Sequence, residues 1–248
     1  MTTFGRTDKG IVRKDNQDHF QIEELEPDKL LIAVVCDGMG GAKAGNVASG
    51  LATETFIKAL SDQPGALSDD ELVGDALTDA MMAANRVVYE MAGTQKNYRG
   101  MGTTLVGAVL CKKKAKWKAN VINVGDSRAY LISGGKMAQI TTDHSLVEDM
   151  IARGEITRAE ALHHPSRNLI TRVVGTEPTV EYDIFKLSLK EEDRLLFCSD
   201  GLTNLVSDEE LFEEIRHYSD LEKCCEMLIT LALSRGGPDN VTVLMIGV

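Results

Sequence analysis

The chain has 248 residues, of which 43% are hydrophobic and 26% are charged, and its formal net charge is −11. These values are typical of a soluble globular protein, and the negative charge argues against a broad basic surface for nucleic acid. No stretch approaches the roughly 18–20 apolar residues of a membrane span, and the N-terminal segment lacks an apolar signal-peptide core. We therefore predict a cytoplasmic protein with no membrane and no nucleic-acid partner. The five cysteines form no Cys-x-x-Cys pair, which predicts buried, reduced thiols.

The first half of the chain predicts strands followed by two helices. The strands cover residues 4–7, 19–23 and 30–36, and the first helix covers about 46–60. The second helix opens at Ser68, where the pattern Ser-Asp-Asp-Glu predicts a capping box. Its apolar residues recur at helical spacing up to Met91, which indicates one amphipathic face.

The second half returns to strands, and a polar segment interrupts them. Strands are predicted at 103–111 and 117–124, and the Gly134-Gly135 turn predicts a hairpin of 128–132 with 136–140. Residues 145–171 are polar and short-helical, which indicates a surface flap. The last predicted elements are strands at 180–187, 194–198 and 241–246 and helices near 208–217 and 221–234.

Clustered strands separated by helix pairs predict an α+β layered architecture. No repeat or Pro/Ser-rich linker divides the sequence. We therefore predict one domain, residues 1–248, with a flap near 145–171.

Four aspartates lie at the edges of apolar stretches: Asp37, Asp126, Asp200 and Asp239. If these strands converge, the carboxylates repel one another and raise one another's pKa values unless cations are bound. Oxygen ligands of this kind suit Mg²⁺ or Mn²⁺ and disfavour zinc, copper and iron. Taken alone, however, Asp37-Gly38 fits a plain turn as well as it fits a metal ligand.

The glycine-rich segment after Asp37 resembles a phosphate loop only superficially. Lys43 occupies the position of the third glycine of a dinucleotide fingerprint, and Ala44 follows it where a P-loop requires Ser or Thr. Glycine at position 38 instead lets a main-chain carbonyl turn toward a cation beside Asp37.

A basic counterpart lies near the N-terminus. Arg13 can grip two oxygens of a phosphoryl group, although a surface charge is the commoner role of an isolated arginine. Asp18 follows in the same segment and can hold a metal-bound water or brace the site.

Seven motifs, in this order, resemble those of the metal-dependent serine/threonine protein phosphatases of type 2C, and of the bacterial branch in particular. They extend from near the N-terminus to the last strand. The motifs are Arg13 to Asp18, Asp37-Gly38-Met39-Gly40-Gly41, Gly100-Met101-Gly102-Thr103-Thr104, Gly125-Asp126-Ser127-Arg128, Asp143-His144-Ser145, Ser199-Asp200-Gly201-Leu202 and Asp239-Asn240-Val241-Thr242.

The resemblance implies a four-layer α-β-β-α sandwich in which two central antiparallel sheets are flanked by helices. It implies that Asp37 bridges two Mn²⁺ or Mg²⁺ ions and that the Gly38 carbonyl binds one of them. It further implies that Asp200 and Asp239 bind the other ion, and that Asp126 joins Asp200 at a weaker third site. Arg13 would hold the substrate phosphate, and Asp18 would bond metal-bound water. The residues with a role implied by the family are therefore Arg13, Asp18, Asp37, Gly38, Asp126, Asp200 and Asp239.

The activity implied is hydrolysis of phosphoserine and phosphothreonine by direct attack of a metal-bridging hydroxide. The implied partners are phosphorylated proteins, among them a Ser/Thr kinase and its substrates, with a monomer as the default state. Two alternatives stay open: a catalytically inactive binding module of the same fold, and a two-metal nuclease, which the net charge disfavours.

Two positions depart from the family pattern. Met39 stands where animal members carry a histidine that is thought to protonate the leaving group, so we expect metal-bound water, or else His144, in that role. Gln17 replaces a glutamate that is frequent in the family. In the flap, Asn168 is a further candidate for contact with the third metal.

Overall fold

The computed structural model describes residues 1–41 and 44–248. Lys43, the residue that departs from the phosphate-loop patterns, lies outside the described residues. In chain order the strands are β1 (Thr2–Asp8), β2 (Asp18–Glu26), β3 (Leu30–Met39), β4 (Gly102–Thr103), β5 (Leu105–Lys113), β6 (Lys116–Val124), β7 (Arg128–Ser133), β8 (Lys136–Gln139), β9 (Asp183–Leu189), β10 (Arg194–Cys198) and β11 (Val241–Gly247).

Helices lie between the strand clusters. They are α1 (Ala44–Ser61), α2 (Pro64–Leu67), α3 (Val73–Thr94), α4 (Leu146–Ala152), α5 (Arg158–Ala161), α6 (Asp200–Thr203), α7 (Asp208–His217) and α8 (Leu221–Ser234), with a 3-10 turn at Lys96–Tyr98. Within the described part of the chain, none of these helices combines the length and the apolar character needed to cross a bilayer.

The strands form two antiparallel sheets. The first sheet has the order β1-β11-β10-β7-β8, and the second has the order β2-β3-β5-β6-β9, with β4 paired to β3. The predicted hairpin of β7 and β8 is present. Two antiparallel sheets with flanking helices confirm the predicted α+β sandwich.

Strand β3 shows how the layers are held together. Its residues Ile32 and Val34 belong to an apolar core shared with α1 and α3, whereas Leu31 and Val35 belong to the core between the sheets. Because successive side chains of a strand point to opposite faces, a strand buried on both sides needs an uninterrupted apolar run. A third core lies between the first sheet and helices α7 and α8.

The predicted capping box at Ser68 is wrong. Ser68 closes the one-turn helix α2, and α3 begins only at Val73. The Oδ1 atom of Asp69 accepts a hydrogen bond from the Glu71 amide instead, which makes a turn ahead of the helix. Complete capping boxes occur at α5 and α7.

Strand boundaries also differ from the prediction: the strand predicted at 180–187 is β9 (Asp183–Leu189), β1 and β2 are longer than predicted, and two further differences lie at the candidate site. Strand β3 does not end before Asp37 but continues to Met39, where it pairs with β4. The predicted strand 103–111 is divided into β4 and β5, and Thr104 lies between them. Asp37-Gly38 is therefore extended strand and not a turn.

Candidate active site

The backbone of Asp37 is fixed by the two threonines that divide β4 from β5. The Asp37 amide donates to Thr104 Oγ1 at 2.9 Å, and the Asp37 carbonyl accepts from the Thr104 amide at 2.9 Å and from Thr103 Oγ1 at 2.8 Å. Because the backbone groups are satisfied by these threonines, the carboxylate is left for other partners.

No side chain fits at Gly38. A Cβ there would lie 2.1 Å from the carbonyl oxygen of Gly45 in α1 and 2.6 Å from the carbonyl oxygen of Gln17. The Gly38 amide also donates to the Gln17 carbonyl at 3.0 Å. Glycine is therefore required for α1 to pack directly against the strand that carries Asp37.

Asp18 lies opposite Asp37 in the antiparallel pair of β2 and β3. Its side chain is only 3% exposed, and its Oδ2 atom accepts hydrogen bonds from Ser199 Oγ and Thr242 Oγ1, both at 2.7 Å. Its Oδ1 atom is buried and has no hydrogen-bond partner among the described residues. Because Ser199 and Thr242 belong to the first sheet, Asp18 joins the two sheets at the site.

Asp200 and Asp239 come from neighbouring strands of the first sheet. Asp200 begins α6 directly after β10, and its Oδ2 accepts a hydrogen bond from Asn204 Nδ2 at 2.9 Å. Asp239 precedes β11, and its Oδ2 accepts from Arg13 Nη2 at 2.7 Å. The first sheet thus brings two carboxylates to the point where the second sheet places Asp37.

Asn240 holds the segment that carries Arg13. Its Nδ2 donates to the carbonyls of Lys9 at 2.8 Å and Asp15 at 3.0 Å, and its Oδ1 accepts from the Gln17 amide at 2.8 Å. The segment between β1 and β2 is therefore tied to the start of β11, which fixes the position of Arg13 near Asp239.

Asp126 lies in the turn from β6 to β7, and its Oδ1 is another buried oxygen without a partner among the described residues. The preceding Gly125 has a φ of 104°, and a Cβ there would lie 2.6 Å from Thr104 Cγ2. Thr104 also shares a hydrogen bond of 2.8 Å with Ser127. The same threonine therefore positions both Asp37 and the Asp126 turn.

The aspartates raise one another's pKa values. Burial raises the pKa of Asp18 to about 7 and that of Asp126 to about 8, with nearby Asp200 adding to both. Burial and then the charges of Asp18 and Asp200 hold the pKa of Asp37 well above its usual range, although its side chain is partly open to solvent. Burial and Asp239 also raise the pKa of Asp200. A bound cation would relieve this repulsion.

The donor set fits hard divalent cations. The partnerless Oδ1 atoms of Asp18 and Asp126 are buried anionic oxygens, which suit Mn²⁺ or Mg²⁺ and their bound water. Within residues 1–41 and 44–248, no three His, Cys, Asp or Glu side chains are arranged to hold one ion by themselves.

His144 does not fit the role of general acid. Its side chain is 5% exposed, its Nδ1 accepts from the Gly125 amide at 3.1 Å, and its Nε2 lies 3.1 Å from Asp183 Oδ2. Burial lowers the pKa of the imidazole. The ring is therefore a support for the Asp126 turn.

An ion pair joins two of the motifs. Arg128 donates from Nη2 to Asp143 Oδ2 at 2.7 Å and from Nε to Asp143 Oδ1 at 2.9 Å. This bidentate geometry braces the end of the Asp126 turn against the residue before His144.

Residues 11–230 match the family model described as protein phosphatase 2C. The chain belongs to the protein phosphatase 2C family. The protein named serine/threonine phosphatase stp from Listeria innocua is 38% identical over 241 residues, which cover 97% of this chain and 93% of that protein. Both the predicted family and the predicted enzyme class are confirmed.

Solved structures of protein phosphatases 2C share this fold. The S. agalactiae serine/threonine phosphatase has a TM-score of 0.91 and 33% identity, and the match covers 100% of this chain and 99% of that one. The catalytic domain of serine threonine protein phosphatase PstP, solved with two manganese ions, has a TM-score of 0.80 and 35% identity, with 98% and 96% covered. The predicted Mn²⁺ or Mg²⁺ dependence is thus confirmed for the family.

The structure places the predicted site residues near one another. Arg13 is close enough to Asp239, Asp37 and Asp200 for their negative charges to raise the pKa of its guanidinium. Sequence reasoning assigned no role to the residues that hold these groups in place. These residues are Thr103, Thr104, Ser199, Asn240 and Thr242. The available signal was their place inside the motifs: Ser199, Asn240 and Thr242 lie within three residues of Asp200 or Asp239, and Thr103 and Thr104 end a glycine-rich motif of their own. Asn168 is exposed in the flap, and its contact with a metal stays a prediction.

Proposed function

We propose that this chain is a protein serine/threonine phosphatase that depends on Mn²⁺ or Mg²⁺. Residues 1–248 form its catalytic domain, and residues 145–171 form the flap beside it. The observation that carries the proposal is the convergence of five aspartates from two sheets beside Arg13. Repelling carboxylates next to a phosphate-binding guanidinium are the arrangement that metal-assisted phosphoryl transfer needs.

The ligand roles that we propose are those implied by the family. Asp37 would bridge two ions, with the Gly38 carbonyl on one and Asp200 and Asp239 on the other. Asp126 would join Asp200 at a weaker third site. When bound, such ions lower the pKa of water and neutralise charge on the phosphoryl oxygens.

Arg13 holds the phosphate of the substrate. Its side chain is 52% exposed, and the bond to Asp239 uses only its Nη2 nitrogen. The Nε and Nη1 nitrogens carry further donors, so the guanidinium can grip phosphoryl oxygens while it stays near Asp239.

Asp18 orients water. Ser199 and Thr242 fix its Oδ2 atom, which leaves Oδ1 without a partner among the described residues and available as a hydrogen-bond acceptor. A carboxylate held in this way can align the attacking water without itself moving.

The leaving group takes its proton from water, because neither Met39 nor His144 offers a suitable acid. Met39 has no proton to donate, and the ring of His144 is buried and bonded. A cysteine nucleophile is also unsuitable, since burial raises the pKa of Cys36 and Cys198 to about 12. Hydrolysis therefore proceeds by direct attack of water, without a phosphoenzyme.

The alternatives have less support. An inactive member of the fold would be expected to lack a metal aspartate, whereas Asp37, Asp200 and Asp239 are all present. A nuclease would need a basic face for its polyanion, which the net charge of −11 disfavours.

The finer parts of this proposal concern partners and location. The substrates would be phosphorylated proteins, including a Ser/Thr kinase and its targets, and the enzyme would act as a monomer in the cytoplasm. The location is supported by five cysteines that are all buried and unpaired, as in reducing compartments.

The test is hydrolysis of phosphoserine and phosphothreonine peptides by the purified protein with added Mn²⁺. We expect chelator to abolish turnover and Asp37→Asn to reduce kcat by at least roughly a hundredfold while far-UV circular dichroism is retained. Glu54→Gln, on the α1 helix, is the matched control. Full activity in chelator would contradict the metal-dependent mechanism.

A further inference from the structure

Ile11 and Val12, which directly precede Arg13, expose large apolar side chains beside the proposed phosphate site. Their exposed fractions are 65% and 67%. Apolar side chains left open in this way forgo the stabilisation of burial, and contiguous ones commonly mark a binding surface.

The main chain of this segment is held in place. The Ile11 amide donates to the Gly237 carbonyl at 2.8 Å, and the Gly10 amide donates to Asp8 Oδ1 at 2.8 Å. Gly10 has a φ of 78° and packs so tightly that a Cβ there would lie 2.1 Å from the Asp239 carbonyl oxygen. The two apolar side chains are thus presented at a fixed position next to Asp239.

The charge of the segment fits a phosphorylated partner. Residues 9–14 read Lys-Gly-Ile-Val-Arg-Lys, with three cations and no acid, in a chain whose net charge is −11. Lys9 and Lys14 are exposed together with the two apolar residues. The segment therefore combines attraction for an anionic chain with contact surface for an apolar side chain.

Other exposed apolar residues lie in the motif that follows Asp37 and in the flap. Met39 follows Gly38 on β3, and two more such residues lie on the flap. Together with Ile11 and Val12 they make five of the eight large exposed hydrophobic side chains in the described part of the chain, namely Ile11, Val12, Met39, Leu162 and Leu169.

We propose that Ile11 and Val12 form a specificity surface that binds an apolar side chain next to the phosphorylated serine or threonine of a protein substrate. This rests on the proposed function, in which Arg13 holds the phosphate. Adjacent Cα atoms are about 3.8 Å apart, and an extended substrate advances about 3.3 Å per residue. A side chain one or two positions from the phosphorylated residue therefore reaches this surface.

The test compares two phosphothreonine peptides of equal charge and length, one with leucine on both sides of the phosphothreonine and one with serine there. With Mn²⁺, we expect kcat/KM to be roughly tenfold higher for the leucine peptide. The variant Ile11→Ser with Val12→Ser should bring the ratio of the two kcat/KM values close to one. Each value is normalised to the turnover of p-nitrophenyl phosphate, which has no flanking residues.

Leu72→Ser and Met227→Ser are the matched controls, because these exposed apolar residues lie at the start of α3 and on α8. They should preserve the wild-type ratio. An unchanged ratio in the double variant, or an equal loss on p-nitrophenyl phosphate, overturns the proposal. A wild-type dimer in light scattering that the double variant abolishes also overturns it, since a second copy then covers the surface. Absence of any wild-type turnover, in contrast, overturns the proposed function itself.

Discussion

Thr242 Oγ1 donates a hydrogen bond of 2.7 Å to Asp18 Oδ2, across the interface of the two sheets. Thr242 lies in β11 of the first sheet, and Asp18 lies in β2 of the second. This contact fixes the carboxylate that we propose to orient water relative to Asp239, three residues before Thr242. It makes the geometry of the site depend on the packing of the sandwich.

Thr242→Val should reduce kcat/KM roughly tenfold, because a hydrogen bond to a charged acceptor contributes about 1.5–3 kcal/mol. Since this bond lowers the pKa of Asp18, its loss should also move the acid limb of the pH–rate profile to higher pH. The matched control is Thr230→Val, whose hydroxyl bonds the Glu226 carbonyl on the exposed side of α8. If the acid limb of Thr242→Val stays in place, the proposed role of Asp18 is wrong.

Stability without metal should fall as the pH rises. The pKa values of Asp18 and Asp126 in the folded protein, about 7 and about 8, exceed the value of about 3.9 in an unfolded chain. Between those limits the folded state binds more protons than the unfolded state, so the free energy of unfolding decreases with pH.

In chelator we therefore expect Tm to fall by on the order of 5 °C between pH 5 and pH 8. Saturating Mn²⁺ should remove most of this fall, and Asp126→Asn should reduce it in chelator. Thermal unfolding followed by circular dichroism measures both effects. If Tm instead rises over this pH range in chelator, in both the wild type and Asp126→Asn, the buried carboxylates do not determine how the stability depends on pH.

Arg13→Ala should raise KM for phosphopeptides about tenfold to a hundredfold with a smaller effect on kcat, because a charge-assisted contact with the bound phosphate is lost. Arg13→Lys should recover only part of the loss, since an ammonium group cannot grip two oxygens in one plane. Steady-state kinetics on one phosphothreonine peptide distinguishes the two variants, with Arg86→Ala on α3 as the control. An unchanged KM would mean that Arg13 is a surface charge that does not bind the substrate phosphate.

His144 offers a pair of variants that separate the contacts of its two ring nitrogens. Because Nδ1 accepts from the Gly125 amide, the proton is assigned to Nε2, which lies 3.1 Å from Asp183 Oδ2 and 3.0 Å from Arg172 Nη1. Asparagine can reproduce the Nδ1 acceptor, whereas leucine removes both contacts.

We expect His144→Asn to keep most of the phosphatase activity and His144→Leu to lose about tenfold or more, as the Asp126 turn is no longer supported. Turnover and Mn²⁺ affinity by calorimetry measure the difference. Equal effects of the two variants would mean that the bond to Gly125 has no special role.

The sequence by itself determined the elements that depend on local patterns. Strand β10 and helices α7 and α8 begin and end where predicted, because apolar periodicity and capping residues act within a few positions of the chain. The prediction at Ser68 failed because a local pattern does not show what the neighbouring residues form. The short helix α2 ends at this serine and uses it as its C-cap, so Ser68 does not begin α3.

The aspartates of the site were recognisable because each lies in a motif at the edge of an apolar stretch. The residues that hold these aspartates in place were not recognisable, since each of them acts through a partner that lies far along the chain. Thr104 braces both Asp37 and the Asp126 turn, Asn240 holds the Arg13 segment, and Thr242 reaches Asp18 over 224 positions. Only the packing of one sheet on the other decides which hydroxyl meets which carboxylate, and therefore which Asp18 oxygen is left for water.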